Sequence, residues 1–202
     1  MNKNFPINYF TPQHSTNGAH KGNRKLSMSE LNRKSVDEFQ RAEKTPVIAV
    51  LENIRSAYNV GSVFRTADAF LLKAIYLTGY TPCPPHKEIK KTALGAEETV
   101  TWKHFNKAAE AIAELKENGY KVYAIEQVMY SRPLQLMQFD PYEKIAVLFG
   151  NEVTGVEQET VEHCDGCIEI PQMGMKHSLN IATAAGVVLW EIIRGRMLKE
   201  EN

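Results

Sequence analysis

The sequence predicts an α/β fold, a mostly parallel sheet flanked by helices on both faces. Three observations carry that expectation. Short, β-branched apolar runs recur along the chain, and they read as near-continuous apolar segments rather than as alternating ones. Only strands covered on both faces read that way, and parallel sheets require such cover. Between the runs lie stretches with helical spacing, the alternation expected of βαβ units. Finally, the segment 178–197 puts Ile181, Ala185, Val188, Leu189 and Ile192 on one helical face, a strong packing surface.

Taken in order, the expected strands are Val47–Leu51, Ala74–Thr78, Thr99–Trp102, Lys121–Ile125, Ile145–Phe149 and Cys167–Ile170. The expected helices are Val60–Phe70, Asn106–Asn118, Glu157–His163 and Ser178–Met197. Residues 1–45 read as a basic N-terminal arm and helix, and residues 46–202 as the α/β domain. Ser27-Met28-Ser29-Glu30 matches a capping box with Leu26 as a staple residue, so a helix is expected from about Ser29 to Glu43. Thr45-Pro46 ends it.

Charge is distributed unevenly although the net charge is +0. Residues 1–44 carry +4 and the remainder −4, and residues 1–25 hold no acidic side chain at all. A basic arm suits a phosphate backbone, although the same charges also serve as a solubilising tail. No apolar stretch approaches the ~18 residues of a membrane span, and the polar start lacks a signal-peptide core, so the cytoplasm is expected.

Cys83, Cys164 and Cys167 are too few for a disulfide framework. Cys164 and Cys167 form a C-x-x-C pair, but zinc needs two further ligands and no second pair exists, so no metal site is expected. No G-x-G-x-x-G and no phosphate loop occurs, which argues against an ordinary dinucleotide site.

Three strand ends are followed by unusual sequence, where open α/β sheets place their ligands. After the first strand, Asn59 is placed to cap a helix, Gly61 permits close approach, and Arg65 follows six positions later. After the fifth, Phe149-Gly150-Asn151-Glu152-Val153-Thr154-Gly155-Val156 sets two glycines around a carboxylate. After the sixth, Ile170-Pro171-Gln172-Met173-Gly174 leads to Ser178-Leu179-Asn180 and the long helix. Each alone is compatible with a capped helix or a plain connection.

Together, and in this order, they closely resemble the three motifs of the SpoU/TrmH family of SPOUT methyltransferases, over about Val47 to Met197. The first, N-x-G-x-x-x-R-T-A-D, runs from Asn59 to Asp68, and the second, G-x-E-x-x-G, lies between Phe149 and Val156. The third, I-P-M-x-G followed by S-L-N, spans Ile170 to Asn180, with Gln172 either inserted before Met173 or replacing the usual methionine.

The resemblance implies a SPOUT-type fold with a C-terminal trefoil knot and a homodimer whose sites form at the subunit interface. It implies S-adenosylmethionine as cofactor, bound around Ile125, Gly150, Ile170, Met173 and Leu179. It implies transfer of a methyl group to a ribose 2′-hydroxyl of RNA, either transfer or ribosomal, with neither DNA nor a membrane as partner. Arg65 corresponds to the family's catalytic arginine, with Asn59 and Glu152 holding it and the ribose, and Ser178 and Asn180 shaping the site. Lys87, Lys90 and Lys91, near the Ala93-Leu94-Gly95-Ala96 loop, join the basic arm as expected RNA contacts. An inactive RNA-binding member, a base methyltransferase of the same superfamily and a thiol or zinc protein built on Cys164 and Cys167 are the competing readings.

Overall fold

The computed structural model describes residues 24–27, 29–31, 33–176 and 178–198. Most of the basic arm expected over residues 1–25 therefore lies outside the described residues, as do Met28 and His177. The chain divides into two units, Met1–Glu43 and Lys44–Asn202.

In the first unit the single helix expected from Ser29 to Glu43 is replaced by a 3₁₀ turn, Ser29–Leu31, and a short helix α1, Val36–Arg41. Of the capping box expected at Ser27, the Glu30 half forms: its carboxylate accepts from the Ser27 backbone N–H and hydroxyl, both at 2.8 Å, and pairs with Arg24 at 2.6 Å, while Glu30 N donates to the Ser27 carbonyl at 3.1 Å. A second capping box takes the helix start. Ser35 Oγ accepts from Glu38 N at 3.2 Å, and Glu38 accepts from Ser35 N at 2.7 Å. Ser35 has extended backbone angles (φ −66°, ψ 166°), which interrupts any helix running through it.

The second unit is built on a seven-stranded, all-parallel sheet in the order β3-β2-β1-β6-β4-β7-β5. The strands are β1 Thr45–Glu52, β2 Leu72–Thr78, β3 Trp102–Phe105, β4 Lys121–Ile125, β5 Arg132–Pro133, β6 Ile145–Phe149 and β7 Gly166–Glu169. The helices are α2 Ala57–Ala69, α3 Lys87–Ala93, α4 Ala96–Thr99, α5 Ala108–Glu117, α6 Gln158–His163 and α7 Ile181–Leu198. The third strand is displaced from the expected Thr99–Trp102, because Thr99 closes α4. Leu94 and Gly95, at φ 54° and 97°, make the turn that separates α3 from α4.

Every residue of β6, and every residue of β1 except Pro46, is buried. On one face Ile48, Val50, Ala74, Tyr76, Val122, Ala124, Ala146 and Leu148 meet Ala108, Ala111, Ile112 and Leu115 of α5. The alternate residues Val47, Ala49 and Leu51 point the other way and are also fully buried, so both faces are covered. Ile181, Ala185, Val188, Leu189 and Ile192 of α7 are all buried, as their spacing predicts.

Strand order places the ligand-binding edge. From β1 the chain runs outward to β2 and β3, whereas β4, β7 and β5 build the opposite side and β6 enters between. The C-terminal ends of β1 and β6 thus lie side by side where the winding reverses, the position at which open α/β sheets form a crevice.

Candidate active site

The loop after β6 closes on itself. Asn151 and Gly155 exchange both backbone hydrogen bonds at 2.9 Å, and a Cβ on Gly150 would fall 2.2 Å from the Gly155 carbonyl carbon. Only glycine fits there, since the atoms it meets are backbone. The Asn151 side chain accepts from Val153 N and Thr154 N and donates to Asn53 O at 2.7 Å and to the Tyr80 hydroxyl at 2.8 Å. This buried amide pins the loop to the end of β1.

Glu152 turns toward the start of α2. Its carboxylate accepts from Arg55 N at 2.9 Å, Ser56 N at 3.1 Å and Asn59 Nδ2 at 2.9 Å. A helix start leaves N–H groups without partners and carries partial positive charge, so a carboxylate is stable there. Partial burial pushes the carboxyl up, and the donors from Arg55, Asn59 and Ser56 together outweigh it, holding Glu152 below the ordinary glutamate value. Asn59 Oδ1 in turn accepts from Asn180 Nδ2 at 3.1 Å. Asn180 Oδ1 accepts from Ala182 N and Thr183 N, the pattern of an N-cap on α7. One chain of hydrogen bonds therefore joins the loop after β6, the first turn of α2 and the start of α7.

A cavity of about 470 Å³ opens at the C-terminal ends of β4, β6 and β7. Ile125, Phe149, Ile170, Leu179 and Ile181 give it apolar walls, with Glu126, Glu152, Glu169 and Ser178 among its polar groups. Small-molecule pockets span about 300–1,000 Å³, with apolar walls and a few placed polar groups. Apolar walls suit a flat heterocycle, while carboxylates suit ammonium, sulfonium or hydroxyl groups, so the donor set fits a sulfonium nucleoside such as S-adenosylmethionine.

The SpoU rRNA Methylase family matches residues 46–190, most of the α/β unit. The chain belongs to this family. Among its relatives, the tRNA (guanosine(18)-2′-O)-methyltransferase of Thermus thermophilus is 33% identical over 172 residues, covering 84% of this chain and 85% of that protein. The 23S rRNA (guanosine-2′-O-)-methyltransferase RlmB of Neisseria meningitidis is 31% identical, covering 82% of this chain, which spans 65% of the RlmB length. The crystal structure of the A. aeolicus TrmH/SpoU tRNA modifying enzyme superposes with a TM-score of 0.72 at 25% identity, covering 82% of each chain. The AdoMet-bound rRNA methyltransferase of Sinorhizobium meliloti does so at 0.69 and 27% identity, covering 75% of this chain and 57% of that one.

Within this SpoU-family chain, the cavity gathers Ile125, Gly150, Glu152, Ile170, Ser178 and Leu179. Asn59 and Asn180 stand behind it, linked through Glu152. Met173 does not line it and is 99% exposed, whereas its neighbour Gln172 does line it. Arg65 lies on the exposed side of α2, outside the cavity, with no hydrogen bond or ion pair to another described residue. Asn59 is not the cap of α2 either: Ser56 is, accepting from Asn59 N at 3.3 Å, which frees the Asn59 side chain for Glu152 and Asn180.

Two residues lie beyond what the motifs single out. Asn151 sits inside the second motif at a position whose side chain the pattern leaves open. Glu126, just after β4, accepts from Val156 N at 2.9 Å and Gln127 N at 2.9 Å, bracing the glycine loop from the cavity side. A carboxylate following an apolar strand is the available signal. Gly61 meets Ile89 O and Thr92 Oγ1 of α3, so its close approach serves a neighbouring helix of the same chain.

Neither cysteine of the C-x-x-C pair lines the cavity. Cys164 and Cys167 pack on the core face, and burial, with Cys167 nearby, pushes the Cys164 thiol up to about 12. Lys87, Lys90 and Lys91 lie on α3, where Lys91 Nζ reaches the Tyr58 hydroxyl at 3.4 Å.

Proposed function

We propose that this protein methylates a ribose 2′-hydroxyl of transfer or ribosomal RNA, using S-adenosylmethionine bound in the 470 Å³ cavity. The observation that carries the reading is the Glu152–Asn59–Asn180 chain, which ties the cavity wall to the helix bearing Arg65. Family membership and the names of the relatives point the same way.

The cofactor supplies an electrophilic methyl group with a good leaving group, so the protein's own task is positioning and charge stabilisation. Ile125, Ile170 and Leu179 would hold the heterocycle, and the backbone around Gly150 would lie against it. The ribose oxygen must give up its proton as it becomes a nucleophile. A guanidinium is a poor base but an effective partner for a developing alkoxide and an adjacent phosphate, which is the role assigned to Arg65. Asn59 and Glu152 would fix the helix that carries it, Ser178 would line the cavity, and Asn180 would hold the Asn59 amide from the start of α7.

A homodimer belongs to this reading. Arg65 lies outside the cavity of its own chain, and α7 leaves Trp190 and Val187 exposed for a second copy. The C-terminal trefoil knot and a cytoplasmic location belong to it as well, supported by the fold likeness and by the absence, among the described residues, of a helix long and apolar enough to cross a membrane. Residues 1–25, with Lys87, Lys90 and Lys91, complete it as RNA contacts. Deleting the arm should weaken RNA binding and flatten its salt dependence.

The test is transfer of labelled methyl groups from S-adenosylmethionine to unmodified transfer and ribosomal RNA. Label in alkali-resistant dinucleotides supports ribose chemistry. Label on a base, or cofactor binding that is absent altogether, overturns it.

A further inference from the structure

The turn after β2 presents one aromatic ring in an unusual way. Tyr80 is 63% exposed, yet the polar atoms around its ring are tied down. Its hydroxyl accepts from Asn151 Nδ2 at 2.8 Å, and its N–H donates to Asn53 Oδ1 at 3.4 Å. Before it, Gly79 N donates to Phe105 O at 3.1 Å, and Gly79 O accepts from His104 Nε2 at 2.9 Å. After it, the Thr81 hydroxyl accepts from Ile54 N and donates to Leu51 O. Gly79 holds φ +63°, and a Cβ there would meet Asn53 Oδ1 at 1.9 Å.

A ring fixed at both ends with its face open to water has already lost the freedom that binding would otherwise remove. Its anchor is Asn151, next to Glu152, so the ring stands beside the proposed reaction site. Arg55 is exposed on the same β1–α2 segment as Asn53, and Asn53 and Gly79 share a recess of about 260 Å³ with Lys107 and with Glu52, Glu157 and Glu159. An exposed aromatic ring anchored through its hydroxyl and backbone is the chemistry of a stacking platform for unstacked nucleobases.

We propose that Tyr80 stacks an unpaired base of the RNA substrate beside the reacting nucleotide. This rests on the RNA methyltransferase reading above. The test compares the full chain with Tyr80→Phe and Tyr80→Ala, using labelled oligoadenylate and unmodified transfer RNA as binding probes over a range of salt. The expected result for Tyr80→Phe, which keeps the ring but loses its hydroxyl anchor, is a loss of no more than about 3-fold. For Tyr80→Ala, affinity falls about 5- to 100-fold. The salt slope is unchanged, because no phosphate contact is lost. Cofactor affinity also stays unchanged. Wild-type binding of both probes by Tyr80→Ala, or no binding by any form, overturns the proposal. So does equal weakening in both variants with lowered thermal stability, which makes Tyr80 a structural staple, or a changed oligomeric state in Tyr80→Ala, which makes it a subunit contact. Methyl transfer is measured separately on the wild type. Tyr80-dependent RNA binding without transfer would sink the enzymatic reading and leave the platform standing.

Discussion

Asn59 Nδ2 donates to Glu152 Oε1 at 2.9 Å, a contact between residues 93 positions apart in the sequence. The amide is the middle of a relay, because its oxygen takes the hydrogen bond from Asn180. Glu152 therefore does two jobs at once. It replaces water at the start of α2, and it fixes the orientation of an amide that ties α7 to the same point.

Removing that carboxylate should cost stability as well as activity. In Glu152→Ala, the N–H groups of Arg55 and Ser56 and the Asn59 amide lose their acceptor. Leaving donors unsatisfied costs about 1–3 kcal/mol, less where water enters. In a domain of this size each kcal/mol lowers Tm by about 2–4 °C. Calorimetry should show that fall, and Glu152→Gln, which keeps one acceptor oxygen, should show less of it.

The same carboxylate sets a pH dependence. Its folded value lies below the ordinary glutamate value, so its contribution is fully present above that ordinary value, about 4.3. It is lost as pH falls through the lowered folded value. Glu52, 2% exposed, runs the other way, because burial raises its carboxyl despite bonds from Thr160 and Glu157 N. A wild-type curve mixes the two. The stability difference between wild type and Glu152→Gln isolates Glu152, and it should be flat above about pH 5 and shrink toward acid.

Glycines separate into those that cannot change and those that can. Gly150→Ala drives a Cβ to 2.2 Å from Gly155 C and 2.3 Å from Val156 N, both backbone atoms in the cavity wall. Cofactor affinity measured by calorimetry should fall more than about tenfold, or about 1.4 kcal/mol. Gly186 lies inside α7, and a Cβ added there would meet nothing within 4 Å. Gly186→Ala should raise the urea midpoint, corresponding to about 0.5–1 kcal/mol.

The cysteine pair should prove dispensable. With the Cys164 thiol pushed up to about 12 and Cys167 also raised by burial, little thiolate exists at neutral pH. A disulfide reagent should label both far more slowly in the folded protein than in urea. Single Cys164→Ala and Cys167→Ala variants should keep methyl transfer. Loss of transfer in either, with folding intact, would revive the thiol reading.

Where the sequence is legible, burial makes it so. β1 and β6 are buried on both faces and stand out as apolar runs, and the apolar face of α7 packs as its spacing requires. β5 is two residues long and includes Pro133, too short for any period to register. The start of the first helix is ambiguous because Ser27 and Ser35 both satisfy the same capping signal, and spacing does not rank them. Ser56 and Asn59 pose the same ambiguity at α2, since either side chain can cap and only the position of Glu152 decides which does. The bracing role of Glu126 is hidden for a different reason, although its place after an apolar strand is a signal. Its partner, Val156 N, is 30 residues away, and nothing local marks the pair.

Arg65 offers the sharpest separation of chemistry from folding. It is exposed and has no partner among the described residues, so Arg65→Ala should change stability by less than about 0.5 kcal/mol. It does not line the cavity, so cofactor affinity should also hold. Methyl transfer should nevertheless drop by about 10²–10³, the usual loss when a donor aimed at developing charge is removed. Arg65→Lys keeps the charge without the planar fork and should recover only part of the rate. If the site is shared between two copies, Arg65→Ala and Gly150→Ala chains, each impaired alone at limiting cofactor, should regain activity when unfolded and refolded together, because each mixed dimer then joins one intact cavity to one intact Arg65. Activity that stays low in the mixture, with mixed dimers demonstrated, would place Arg65 and the cavity in the same subunit's site.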